Sequence, residues 1–148
     1  MKTIFDKAAR EEVIARINAL NESAQAQWGK MNEYQMLEHL ARWEEMIAGT
    51  LPCKRSFLGS IFGKMALKDF LKEDKPLRMN SPSSPELVVH ENDGSVRAGK
   101  DKLIALIEGN ANYPHATFIH PFFGEMTKDE IGCLAYRHLD HHLRQFNG

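Results

Sequence analysis

Five of the chain's seven histidines, His115, His120, His138, His141 and His142, fall in its last 34 residues, and three of these share one five-residue string. Near neutral pH, imidazoles ligate divalent metals, shuttle protons or accept hydrogen bonds. His138 and His142 are four residues apart, a spacing that stacks two side chains on one helix face and lets both rings reach one ion. The same face runs back through Ala135, Leu134 and Ile131, an apolar stripe that turns the pair toward a core. Several inward imidazoles with unpartnered nitrogens are costly, whereas a metal satisfies one nitrogen on each ring. His141 points about 100° away from His142 around a helix and is left out of the ligand set.

A third histidine, His39, stands three residues after Met36 and four before Trp43, inside the core-facing stripe of another predicted helix. Three imidazoles leave positions on an ion open to water or substrate, whereas a closed structural zinc site normally takes four protein ligands. Imidazole suits zinc, nickel, iron and copper; zinc is the first expectation and nickel the second. A lone histidine on an apolar face is more often a hydrogen-bonded core residue, and an i, i+4 pair alone leaves both readings open. Glu38, Asp140 and Arg144 are candidates to support the ligands, or simply solvated charges. His120, with Pro121 after it, borders the site from a loop or packs. No catalytic or cofactor-binding residue is assigned.

These residues need helices to position them, and periodicity predicts four or five. The first, about 6–20, carries Val13, Ile14, Ile17 and Leu20 on one side. The second starts at Asn32, with Gln35 in capping-box position, and stops at Gly49. The third, about 57–71, carries Leu58, Ile61, Phe62, Met65 and Phe70; Gly59 and Gly63 each lower its stability by about 1 kcal/mol relative to Ala, which predicts a short or bent helix. A fourth covers about 95–110. A fifth begins at Thr127, where Glu130 completes a capping box, and continues to about 146. Residues 72–85, with Pro76, Pro82 and Pro85, read as loop; 86–90 could be extended. Residues 112–126, rich in aromatics, read as a loop packed down by Tyr113, Phe118, Phe122 and Phe123. With no convincing strand pair, repeat or linker, the expectation is one all-α domain over residues 1–148.

The string HLDHHLRQF, His138 to Phe146, resembles the His-x-x-His-His followed by Arg and Gln that closes the last helix of the DinB-like metalloprotein superfamily. GKMNEYQMLEHLARWEEMIAG, Gly29 to Gly49, is similar to that superfamily's second helix with its single histidine. HPFFGEMTKDE, His120 to Glu130, resembles the lead-in to the last helix in a branch with no assigned function. Residues 54–98 match poorly. The resemblance implies His39, His138 and His142 as metal ligands, and a four-helix bundle with a long crossover that carries the third helix as an extra. It further implies an ion that activates the thiol of a low-molecular-weight cofactor for transfer to an electrophile. A hydrolase is a close variant. A non-catalytic stress-response or binding module, holding a structural metal or a histidine cluster, is the competing expectation.

Composition narrows the rest. A chain of 148 residues with 43% hydrophobic and 26% charged residues has the makeup of one ordinary globular domain. Nineteen basic residues against 20 acidic ones leave no excess to neutralise a phosphate backbone, so the expected partner is a small-molecule substrate and not nucleic acid. No apolar stretch is long enough for a signal peptide or membrane span, so a cytoplasmic protein without a membrane partner is expected. Cys53 and Cys133, in no CxxC arrangement, read as reduced thiols. A homodimer is an open outcome, with no residue specifying its interface.

Overall fold

Side-chain caps fix where most of the helices start. The computed structural model describes residues 1–148 and holds five α-helices: α1 (Lys7–Ala19), α2 (Glu33–Ala48), α3 (Phe57–Phe70), α4 (Val96–Gly109) and α5 (Lys128–Gln145). Asn32 accepts the Gln35 amide while the Gln35 side chain accepts the Asn32 amide, and Thr127 and Glu130 repeat this at the start of α5. Ser56 and Ser95 cap α3 and α4. Gly49 ends α2 at φ 86°, a left-handed conformation that glycine adopts without penalty.

Helix α2 packs on α4 and α5, and α1 packs on the same two helices. The expected stripes fill the space between them: Val13 and Ile17 from α1, Met36, Leu37, Leu40 and Ile47 from α2, Leu103 and Ile107 from α4, Ile131, Ala135 and Leu139 from α5, all buried. No helix is long and apolar enough to cross a membrane. Cys53 and Cys133 form no disulfide.

The chain is mostly helical but not all-α. Residues read as an aromatic loop contain an antiparallel pair, β1 (Thr117–His120) and β2 (Gly124–Thr127), with Thr117 opposite Thr127 and His120 opposite Gly124. Its tight connection is built by a side chain: His120 Nδ1 accepts the backbone N–H groups of Phe122 (3.1 Å) and Phe123 (3.2 Å). Two strands of four residues leave too little alternation for hydropathy to register. The segment that could have been extended begins instead with a 3₁₀ turn, Pro85–Leu87.

Helix α3 departs most from expectation. It runs unbroken for 14 residues but turns its glycines inward and its large apolar side chains out. Gly59, Gly63 and Leu67 are its buried residues, whereas Phe57, Leu58, Ile61, Phe62 and Met65 are 78%, 60%, 59%, 50% and 70% exposed. A Cβ at Gly59 or Gly63 would lie 2.3 Å or 2.2 Å from the Phe122 carbonyl oxygen. The glycines therefore let α3 approach the β1–β2 turn, a gain that outweighs their poor helix propensity. Gly63→Ala is accordingly expected to destabilise the fold by about 1–3 kcal/mol, although Ala favours an isolated helix by about 1 kcal/mol. Urea unfolding decides the sign: a stabilised variant would mean the α3 contact is loose.

Candidate metal centre

Helix α2 contributes His39 and the last turns of α5 contribute His138 and His142, and one ligand atom from each lies within 4.8 Å of the others. Ring centroids are 5.1 Å (His39–His138), 4.9 Å (His39–His142) and 4.8 Å (His138–His142) apart. The capped start of α5 and its buried Ile131–Ala135 stripe set the rotation that turns His138 and His142 toward α2.

Hydrogen bonds select the tautomers of two rings. His39 Nδ1 lies 2.9 Å from the Leu87 carbonyl oxygen, which can only accept, so Nδ1 carries the proton and Nε2 keeps a bare lone pair. His142 Nδ1 lies 2.8 Å from Gln145 Oε1, and the Gln145 amide is oriented by its Nε2 donating to the Trp28 carbonyl at 2.8 Å. His142 Nε2 is therefore also bare. His138 Nε2 sits 3.2 Å from His39 Nε2, and its Nδ1, sealed from solvent, has no hydrogen-bond partner. If Nδ1 holds the proton, two lone pairs face each other at 3.2 Å beside an orphaned donor. If Nε2 holds it, the sealed Nδ1 is an orphaned acceptor. Each arrangement costs about 1–3 kcal/mol. A cation among the rings relieves the confrontation of lone pairs, and three neutral imidazoles without a carboxylate suit a borderline divalent ion.

Burial holds the rings in their ligating form. It lowers the pKa of His39, drives His138 well below the usual imidazole range with help from its histidine neighbours, and brings His142 down to about 3. His120 is depressed by burial and by Arg55, to about 4.

Other sequence candidates fall elsewhere. Glu38 pairs with Arg42 (3.2 Å) and Lys102 (3.6 Å), and Asp140 with Arg16 (2.8 Å) and Arg144 (3.0 Å), so these charges tie helices together and do not support the rings. His141 packs against the Trp28 ring at 5.5 Å, and His120 is spent on the β1–β2 turn. The supports that were missed are Gln145 and the carbonyls of Leu87 and Trp28. Gln145, three residues after His142 on the same face, was detectable from spacing; a backbone carbonyl from a distant 3₁₀ turn was not.

The profile of the family described as "Protein of unknown function (DUF1569)" matches residues 4–148. The chain belongs to this family. No curated protein and no solved structure matches it. The DUF1569 match spans all three histidines, Gln145 and both strands, yet its description carries no activity, so the chemistry of the centre rests on its geometry.

Proposed function

We propose that this protein binds a divalent metal ion, zinc first and nickel second, through His39, His138 and His142, and uses it as a thiol transferase acting with a low-molecular-weight thiol. The observation that carries the reading is the convergence of three rings, two of whose tautomers are fixed with Nε2 unprotonated. Membership of the DinB-like superfamily belongs to the same reading. It is supported by the packing of α1, α2, α4 and α5 as a closed set of four helices, with α3 in the long connection between α2 and α4.

When bound by three neutral ligands, such an ion acidifies a thiol or water at an open position. The chain's own part is orientation: the Leu87 carbonyl and Gln145 hold two rings at fixed angles, and burial keeps protons off all three. Elemental analysis of the purified protein comes first, followed by consumption of small thiols against a panel of electrophiles. Metal without thiol turnover would leave the site and remove the transferase. The 3.2 Å approach of His39 and His138, close enough for a direct hydrogen bond, favours a second reading in which the cluster is structural; absence of metal would favour it.

Gln145 supplies a finer test. Gln145→Leu keeps the bulk but strips the His142 Nδ1–H and the Trp28 carbonyl of their partner. Metal affinity, measured by chelator competition, is expected to fall about 10- to 100-fold. Gln145→Glu, which still accepts from Nδ1–H, is expected to retain most of it. Equal affinity in all three proteins would show that the bond does not orient the ring.

A further inference from the structure

The outward face of α3 is the largest feature the metal centre leaves unexplained. Phe57, Leu58, Ile61, Phe62 and Met65 occupy its first turns and project from the surface. Ser56 N–H donates to the Pro121 carbonyl at 2.8 Å, which joins this face to a groove of about 210 Å³ lined by Leu51, Pro52, Ile119 and Pro121 among others. Ile119 is itself exposed. Contiguous apolar surface of this kind marks an interaction site, unlike single exposed leucines.

Charge indicates what covers it. Residues 54–75 contain six basic side chains (Lys54, Arg55, Lys64, Lys68, Lys72, Lys75) and three acidic ones (Asp69, Glu73, Asp74), a net of +3 in a chain whose total is -1. Asp69 is engaged by Lys72 and Lys75, and Glu73 by the N-terminal amine. Lys54 and Lys68, at the two ends of the apolar patch, are exposed and form no ion pair. A second copy of the chain docked through this face would set α3 against α3 and bring these like charges together. An apolar face with an unpaired lysine at each end matches a surface that is apolar within and negative at its edge.

We propose that α3 is an interfacial helix that seats the protein on an anionic lipid surface. The helix lies flat along the body, its Gly59–Gly63 side fixed to the β1–β2 turn, so its apolar residues enter the headgroup boundary while Lys54 and Lys68 meet lipid phosphates. At 14 residues it spans about 21 Å, too short to cross the roughly 30 Å hydrocarbon core. A surface-lying mode revises the expectation of no membrane partner and does not depend on the metal reading.

The test is co-sedimentation of the full chain with two kinds of vesicle: phosphatidylcholine alone, and equal parts phosphatidylcholine and phosphatidylglycerol. Partitioning onto the anionic vesicles is expected to exceed that onto the neutral ones by about tenfold and to weaken with salt. Ile61→Ser/Met65→Ser and Lys54→Glu/Lys68→Glu are each expected to reduce it by about tenfold. All four side chains are exposed, so both variants keep the fold, which circular dichroism checks. No sedimentation with anionic vesicles, equal sedimentation with both kinds, or binding unchanged in Ile61→Ser/Met65→Ser would overturn the proposal. So would a dimer in sedimentation velocity that this variant dissolves, which would give the face to a second copy.

Discussion

His138→Ala is expected to abolish specific metal retention, the largest single effect on the centre. The wild-type chain, supplied with zinc at about 100 times its dissociation constant, should gain about 2.7 kcal/mol of stability by mass action alone, and the variant close to none. His142→Ala and His39→Ala should behave alike, because loss of any one ligand leaves two rings that cannot hold the ion against water. His141→Ala is the control: its ring packs on Trp28 and lies outside the converging group, so zinc should still raise its melting temperature. Metal content by elemental analysis and thermal unfolding with and without zinc or nickel read the same outcome independently. A wild-type protein that carries no metal and is stabilised by none would sink the proposed centre. Equal loss in His141→Ala would instead show that the ligand set is wrong.

The convergence of the three histidines was legible because helical geometry converts residue spacing into direction. His138 and His142 fall on one face by their four-residue separation, and His39 falls in a stripe bounded by Met36 and Trp43 whose burial is unambiguous. Caps were equally legible, since Asn32/Gln35 and Thr127/Glu130 bond within a single turn. Three things were not, because each depends on contacts that hydropathy spacing does not encode. The rotation of α3 is decided by whether its glycines or its side chains meet the Phe122 carbonyl, and periodicity counts apolar residues without knowing which face has a partner. The β1–β2 pair depends on His120 closing its turn. The supports of the rings include a Leu87 carbonyl, which every residue possesses and no sequence pattern advertises.

Histidines that look alike by composition carry three different tasks: His39, His138 and His142 converge, His120 closes a turn, and His141 packs against tryptophan. Glu38 and Asp140 are engaged by basic side chains, and no carboxylate joins the converging three-imidazole group. An ion held there would keep its full positive charge for whatever anion entered.

Acid is expected to destabilise the metal-free protein from about pH 6.5 downward, before ordinary carboxylates begin to titrate. A histidine whose folded pKa is depressed leaves stability untouched above about pH 6.5; below it the unfolded chain takes up the proton first, and stability is lost as pH falls toward the folded value. His120, at about 4, and His142, at about 3, should each remove about 1.4 kcal/mol per pH unit through this window. Down to about pH 4 the two together would cost about 6 kcal/mol, comparable to the whole stability of an ordinary domain; His39 and His138 shift in the same direction.

Glu44 acts oppositely. It is buried against Asn110, which donates to Oε2 at 2.8 Å while Oε1 has no partner, and burial raises its carboxyl to about 7. Its favourable contribution is therefore present below about pH 4.5 and lost as pH rises through 7, offsetting roughly one histidine in between. Two consequences separate the groups. Chelator-treated protein should lose urea resistance steadily from about pH 6.5 to 4.5. Glu44→Gln, which keeps the packing without the charge, should gain about 2–3 kcal/mol near pH 8 and almost nothing near pH 4. A flat stability profile in that acid window would mean the histidines are not held neutral by burial. A Glu44→Gln gain independent of pH would mean the carboxyl is not carrying a charge inside the fold.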